Sequence, residues 1–465
     1  VPDGAAALAF LVATSIANGH GIYLGQGRVG PLFAQVEHGL LVLGPPRSGK
    51  TSAIVVPNVV ASAGSVLAVS TKSDVLYASC GARSRLGKCL IFDPSETIDP
   101  PRGVAPIGWS PLTSSASWDA AVLVAESMVG AARRDANRGE SAHWNERAAA
   151  LLSSLFHGAA LGNMAVADVV KAVNRHEPDL IVATLARHDA TLALDLLTGI
   201  LATDSREQSG IWSTASGVLA AYRTQSAINA SEKSSFDAAR FVAERQTLYI
   251  AAPAEHQRHV APLVAGIVRD VRSAAYRKSL LDHAHANERG GTTQIPTLVV
   301  LDELAHIAPL HDLPALVAEG ASQGVLTLAC LQDLSQARER WGVLADGFMS
   351  LFGAKLVLAG IGDMRTLEEI SRLAGERDVP MYSQTSNMRA VGWARGSSRT
   401  TSTRRERKLP VDAIAQTSPD RAVAILGARP GQVRLTPYFS CSPWREATLG
   451  LTSQGSGIKE DPGAR

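Results

Sequence analysis

The stretch LVLGPPRSGKTSA, residues 41–53, limits what this chain can fold into more than any other feature. Directly after an apolar run it has the spacing Gly44-x-x-x-x-Gly49-Lys50-Thr51. That is a complete Walker A pattern, which needs a strand feeding a tight loop that opens a helix. Glycines let backbone N–H groups turn inward around phosphate oxygens, and the helix N-terminus offers its positive end to the same anion. On this reading Gly44, Pro45, Pro46, Arg47, Ser48, Gly49, Lys50, Thr51 and Ser52 bind a nucleoside triphosphate. Lys50 reaches the β- and γ-phosphates, where it also serves catalysis, and the Thr51 hydroxyl helps hold magnesium. The expected ligands are ATP and Mg2+. A glycine-proline turn before an ordinary helix is the plain alternative, and every fixed position of the pattern argues against it.

A Walker A strand calls for a parallel sheet, and the chain has the runs to build one. Strands are predicted at LLVLG (40–44), SVLAVST (65–71), KCLIFDP (88–94), TLYIAAP (247–253), TLVVLDE (297–303), VLTLACLQ (325–332) and KLVLAG (355–360). Helical stretches such as DMRTLEEISRLAG (363–375) separate several of them, the pattern of an α/β sheet covered on both faces. From 114 to 230 the rhythm changes to Ala/Leu-rich helical spacing, as in HWNERAAALLSSLFHGAAL, which predicts an inserted all-α domain. His143, Trp144 and His157 read as core and helix-packing residues of that insertion.

The domain boundaries follow. Residues 1–37 form an N-terminal segment, 38–113 with 231–450 a nucleotide-binding α/β domain, 114–230 the all-α domain, and 451–465 a polar, disordered tail. A chain of 465 residues, 46% hydrophobic and 19% charged, has ample material for these units. Its formal net charge of +2 means that any nucleic-acid surface must be local. The four cysteines (Cys80, Cys89, Cys330, Cys441) form no C-x-x-C pair and read as buried thiols in a reducing cytoplasm. The chain opens at Val1, and an upstream piece is expected to be missing. Its apolar start, AAALAFLVATSIA, is shorter than the roughly 20 residues that cross a bilayer. It reads as a packing helix, with the end of a membrane segment as the alternative.

TLVVLDE supplies the second half of an ATPase site, an apolar strand that delivers Asp302 and Glu303 at its C-terminal end. Asp302 is expected in the magnesium shell, and Glu303 as the base that polarises the attacking water. KCLIFDP and TLYIAAP lie between the two motifs in sequence and are expected to provide the strand that separates them in the sheet. A glutamate after the Walker B aspartate, with such a strand, points to RecA-like motors rather than switch GTPases. Gln332, at the end of the next strand, is placed to sense the γ-phosphate.

In chain order, HGLLVLGPPRSGKT, VSTKSDVL, IFDPSE, WSPL, the helical insertion, LVVLDELAHIAPLHDLPALVAEGASQG and LACLQDLSQ resemble type IV secretion coupling proteins, the TraG/TraD-like conjugation ATPases. The resemblance runs from about residue 38 to 444, and its wording is most similar to actinobacterial members. It implies a hexameric RecA-like motor with an all-α domain, the cytoplasmic part of a protein anchored in the plasma membrane. Such motors couple ATP hydrolysis to delivery of single-stranded DNA, with its bound relaxase or other protein substrates, into a secretion channel. The resemblance assigns Gly49, Lys50 and Thr51 to Walker A, Asp302 and Glu303 to Walker B, and Gln332 to the sensor. The chain alone is expected to be a monomer or weak oligomer.

One departure stands out. Many relatives carry a glycine-arginine pair after Walker B, whose arginine enters the neighbouring subunit's site. Here the stretch reads Gly320-Ala321-Ser322-Gln323-Gly324. Arg404 or Arg405, with Arg365 as a further candidate, is expected to replace it; the alternative is slow hydrolysis until a partner assembles the ring. Cations otherwise concentrate in MRAVGWARGSSRTTSTRRERKLP, where Arg395, Arg399, Arg404, Arg405, Arg407 and Lys408 are the expected DNA-binding residues. Arg389 adds a further cation there, and Trp393 offers a stacking face. A solvated basic loop, or one that pairs with acids on the next subunit, is the alternative. Two other functional readings share these motifs: a HerA–FtsK-like double-stranded DNA pump, and an ATP-gated docking hub for secreted proteins with little motor activity.

Overall fold

The computed structural model describes residues 3–132, 140–232, 234–251, 257–289, 294–307, 310–387 and 396–449. The strands in chain order are β1 (Tyr23–Gln26), β2 (Pro31–Phe33), β3 (Leu40–Leu43), β4 (Val66–Ser70), β5 (Cys89–Phe92), β6 (Val104–Pro106) and β7 (Thr247–Ala251). They continue with β8 (Thr297–Leu301), β9 (Val325–Leu331), β10 (Ala354–Leu358), β11 (Glu376–Asn387), β12 (Gly396–Arg407), β13 (Arg421–Leu426) and β14 (Arg429–Arg434). Among the described residues twelve of them form one sheet in the order β2-β1-β14-β13-β10-β3-β9-β8-β4-β7-β5-β6. Pairing is parallel from β10 through β6 and antiparallel from β10 out to β2.

The central strands read as nearly continuous apolar runs because both faces are covered: β3, β4, β7, β8, β9 and β10 are buried at every position, Thr327 and Lys355 included. Successive side chains alternate between two cores. Leu41 and Leu43 face the larger one, which continues into the helical unit, while Leu40 and Val42 face the other.

The strand order corrects one expectation. Neither KCLIFDP (β5) nor TLYIAAP (β7) separates the two motif strands; both lie beyond β4 on the far side. The separating strand is β9, which follows Walker B in the chain and pairs with β3 on one side and β8 on the other. Chain order carried no information here, since a crossover can land a strand on either side of its predecessor.

Residues 3–37 also join this architecture, with β1 and β2 at its antiparallel edge. Asn58, buried in the helix Val56–Ala61, ties that edge to the helix that continues from the Walker A loop. Its Oδ1 accepts from the Tyr23 N–H at 2.7 Å, and its Nδ2 donates to the Tyr23 carbonyl at 2.9 Å and the Ile54 carbonyl at 2.8 Å. The helix Gly4–Ala17 packs through Ala7, Leu8 and Leu11 in a cluster with Tyr23, Val56, Val60 and Trp444. No helix among the described residues is long and apolar enough to cross a membrane.

Between β6 and β7 the described residues hold helices and no strand, from Pro111–Ser114 to Ala238–Ala243. The helical unit is larger than the interruption in the sequence, because the helix Gln257–Arg289 packs along Trp118–Ala132. WSPL is the hinge of that packing. Trp109 is buried and donates its indole N–H to Asp270 Oδ2 at 2.9 Å, and Ser114 donates to the same oxygen. A Cβ on Gly266 would fall 2.3 Å from the Trp109 ring. Gly266→Ala should therefore destabilise the protein by about 1–3 kcal/mol through overpacking, read as a lower denaturation midpoint; an unchanged midpoint would mean that the ring has room to move. His157 is buried, with Nδ1 2.9 Å from the Ser115 carbonyl oxygen, as its core reading expected. His143 differs from that reading: it lies exposed beside Glu207 at 3.6 Å. Trp144 packs over Gly210. Cys89 and Cys330 are buried, while Cys80 and Cys441 are partly accessible.

The described part of the basic stretch is mainly a strand, β12, rather than a loop. β11 and β12 pair antiparallel as a two-stranded ribbon apart from the main sheet. At about 3.4 Å per residue its twelve-residue strands extend roughly 40 Å. Arg389, Trp393 and Arg395 lie outside the described residues, as does the tail 451–465.

Candidate functional site

The parallel strands end together on one edge of the sheet, and the motif residues collect there. β3 runs into the loop 44–50, whose backbone turns left-handed at Arg47 (φ 64°) and Gly49 (φ 90°). A Cβ on Gly44 would meet Ser48 Oγ at 2.7 Å and Leu358 Cβ at 2.9 Å, so only glycine fits that exit from β3. The loop feeds a wide helical turn, Thr51–Val55, continued by Val56–Ala61.

Two observations test whether an anion suits this loop. The Lys50 ammonium folds back over it, donating to the Gly44 carbonyl and, at 2.9 Å, to the Pro45 carbonyl. Ser48 Oγ is buried there without a hydrogen-bond partner. Buried hydroxyls are nearly always paired, so a cradle with an idle hydroxyl and a lysine held only by backbone carbonyls fits a phosphate group.

On the adjoining edge, Asp302 follows β8 and is buried. Its Oδ2 accepts from Ser70 Oγ at 3.0 Å, and its two oxygens lie 3.4 and 3.3 Å from Thr51 Oγ1. Burial pushes its carboxyl up to about 6. The neighbouring Glu303 adds to that rise, while the Ser70 hydroxyl, the Lys50 charge and the Thr51 hydroxyl oppose it. The long Thr51–Asp302 separations and the unfavourable burial of the charge both suit a divalent cation between these oxygens. Glu303 is half-buried at the mouth of the site. Gln332, at the end of β9, lies between the two motif strands, and its backbone N–H donates to Gln336 Oε1 at 2.9 Å.

Sequence reasoning missed two residues of this edge. Ser70 sits in STKSD, where only its contact with Asp302 marks it. Cys330 of β9 is buried close enough for the charges of Asp302, Lys50 and Glu303 to act on its thiol, which burial pushes well up. IFDPSE is not in the site. Its Asp93 holds the loop after β5 by accepting from the backbone N–H groups of Ser95, Thr97 and Ile98 at 3.0, 2.8 and 2.8 Å.

The cations expected elsewhere are more divided than the sequence suggested. Direct register partners share a face of the ribbon, and Arg405 is opposite Asp378 while Arg404 is opposite Val379, one residue along. Alternation thus sends Arg404 to the face opposite Arg405 and Arg407, and the described arginines of β12 are not a single patch. Arg405 Nε lies 3.6 Å from Asp378, and Arg407 donates to Ser371 Oγ at 3.3 Å, tying the ribbon base to the helix Met364–Ala374. Arg399 is in β12 opposite Gln384, and Lys408 follows the strand. Arg365 is in the first turn of Met364–Ala374, paired with Glu369 at 3.1 Å and Asp346 at 3.3 Å. The arginine-free stretch 320–324 is met by a guanidinium from another element: Arg272 of the long helix reaches Gln323 at 3.4 Å and Asp312 at 2.8 Å.

The family model described as type IV secretory system conjugative DNA transfer matches residues 11–440. Among solved structures, the bacterial conjugative coupling protein TrwBdeltaN70 in its unbound monoclinic form is similar at a TM-score of 0.67 and 19% identity, over 92% of this chain and 91% of that one. The plasmid coupling protein TrwB in complex with the GTP analogue GDPNP is similar at a TM-score of 0.62 and 19% identity. TrwB with ADP and Mg2+ follows at 0.63 and 20%; each of these two matches spans 86% of this chain and 85% of TrwB. At such identities the likeness speaks for the fold, a RecA-like P-loop domain with a helical unit. No curated protein matches the chain significantly.

Proposed function

Since the chain belongs to the type IV secretory system conjugative DNA transfer family, we propose that it works there as an ATP-hydrolysing motor that moves single-stranded DNA, with a bound relaxase, toward the secretion channel. The observation that carries this reading is the convergence of Lys50 and Thr51 after β3, Asp302 and Glu303 after β8, and Gln332 after the strand between them. In this proposal the loop 44–52 wraps the phosphates of ATP, with Lys50 on the β- and γ-phosphates. Thr51 and Asp302 hold magnesium, which when bound neutralises charge on the phosphates. Glu303 takes a proton from the attacking water, and a polar side chain at Gln332 registers the γ-phosphate.

The segment after Gln332 is wired to the ribbon's base. Leu334 N–H donates to Thr366 Oγ1 at 3.1 Å, Arg338 pairs with Asp363 at 2.6 Å, and the helix that Asp363 caps leads into β11. That route supports a DNA-handling role for the ribbon, with Arg399, Arg404, Arg405 and Arg407 in β12, and we propose Arg395 and Lys408, which flank that strand in sequence, as further DNA-binding residues. We further propose a division into a nucleotide-binding domain of 38–113 with 231–450, an all-α domain of 114–230 and a tail of 451–465, with 1–37 an N-terminal segment whose β1 and β2 extend the first domain's sheet. The active form is a hexamer on the cytoplasmic side of a membrane anchor, as the family implies.

The deciding experiment is ATP turnover with and without single-stranded DNA. A motor is stimulated by DNA; an ATP-gated docking hub binds nucleotide with no stimulation, and stimulation by duplex alone favours a double-strand pump. Single-stranded DNA binding should be independent of sequence and should weaken steeply with salt. Replacing Arg404 and Arg405 with alanine removes one cation from each face of the ribbon. If both meet phosphate, the slope of log K against log salt should fall by about 1.4, or 0.7 for each contact. A fall of about 0.7 would leave one face on the DNA, and an unchanged slope would remove the ribbon from the interface.

A further inference from the structure

STKSD, residues 70–74, has no role in the mechanism above, yet its first residue makes the shortest contact to the Walker B aspartate. We propose that Ser70 is a positioning residue that fixes the Asp302 carboxylate for metal, and so sets the affinity of the site for magnesium rather than for nucleotide. This inference rests on the nucleotide-binding reading of the site.

The geometry is specific. β4 and β8 are paired neighbours, and the Asp302 N–H donates to the Val69 carbonyl at 3.0 Å, so the two strand ends reach the site in register. Ser70, the last residue of β4, is buried and donates its hydroxyl to Asp302 Oδ2 at 3.0 Å. Ser70 Oγ itself accepts the Lys72 N–H at 3.3 Å. A hydroxyl has one proton to give, and the backbone donor at its lone pair leaves that proton aimed at the carboxylate. Thr51 Oγ1, at 3.3 and 3.4 Å, is beyond the 2.5–3.0 Å range of a good O–H···O bond. Ser70 is therefore the contact that orients the carboxylate: it holds Oδ2 toward β4, while Thr51 Oγ1 lies about equally far from both oxygens. Partners that orient a metal ligand from behind typically contribute roughly 10–100-fold to metal affinity. Alanine at 70 would remove the short contact and also strip the Lys72 N–H of its acceptor.

The test titrates Mg2+ into the chain in the presence of a fluorescent ADP, alongside ADP binding in EDTA. Wild type and Ser70→Ala should bind ADP equally in EDTA, while the Mg2+ midpoint of Ser70→Ala rises about tenfold. Ser70→Thr, which keeps the hydroxyl, should restore the midpoint. Equal midpoints for wild type and Ser70→Ala would overturn the proposal. So would a parallel loss of ADP affinity in EDTA, the mark of a merely loosened strand end. If Ser70→Ala does not fold, Ser70→Cys, a near-isostere with a weak donor, carries the same comparison. A wild-type chain that binds no ADP at all would instead refute the nucleotide-binding reading, a distinguishable outcome.

Discussion

Lys50→Ala is expected to abolish nucleotide binding at micromolar concentrations while leaving the fold intact. The ammonium is held only by the Gly44 and Pro45 carbonyls of its own loop, contacts that a phosphate would replace with charge-assisted ones. Two such bonds, at about 1.5–3 kcal/mol each, correspond to a loss of at least 100-fold in affinity. The loop itself should survive, since its shape comes from positive φ at Arg47 and Gly49 and from the close approach of Gly44 to Leu358. Equilibrium binding of a fluorescent ATP analogue, with circular dichroism to check the fold, measures this directly. Retention of binding within about threefold of wild type would mean that the loop does not hold phosphates through Lys50.

Glu303→Gln should separate binding from turnover. The substitution keeps size and shape at a half-buried position and removes only the capacity to take a proton. General-base catalysis is worth about 10²–10⁴-fold, so kcat should fall by that factor while ATP affinity stays near wild type. Loss of the glutamate charge also relieves the repulsion that helps push Asp302 upward, so metal binding should not suffer from the change. Near wild-type turnover in Glu303→Gln, measured by phosphate release, would exclude this carboxylate as the base. The two variants together separate the roles: Lys50→Ala fails before chemistry and Glu303→Gln at it.

Local features of the site were legible because short-range geometry dictates them. The Walker A spacing specifies a loop whose glycines are needed where the backbone turns or crowds, and the structure has that loop between β3 and its helix. An apolar run ending in Asp-Glu specifies a buried strand that delivers carboxylates at its end, which β8 does. The helical interruption was equally clear, because period-3.6 apolar spacing over more than a hundred residues admits no other reading. The strands β1, β2, β6, β13 and β14 were not foreseen. β1, β2, β6 and β14 are short or rich in glycine, proline or arginine and lack the apolar run that marks a central strand. β13, RAVAIL, does carry such a run, buried over Ala422–Ile425, and was overlooked.

The sequence by itself determined which residues are the candidates for the chemistry: Lys50, Thr51, Asp302, Glu303 and Gln332 are named by spacing and residue type alone. What only the tertiary structure decided is which of them become neighbours and through what. It inserted β9 between the motif strands, brought Ser70 to Asp302 across 232 residues of chain, and carried Arg272 from the long helix to the arginine-free stretch before β9. It also divided a continuous run of arginines between two faces of a ribbon. The reason is physical. Loop geometry and strand burial are set by contacts a few residues apart, where residue type suffices. Strand order and cross-strand partners come from packing the whole sheet between its two cores, and the free energy of that choice is spread over many distant contacts, none of which leaves a local mark.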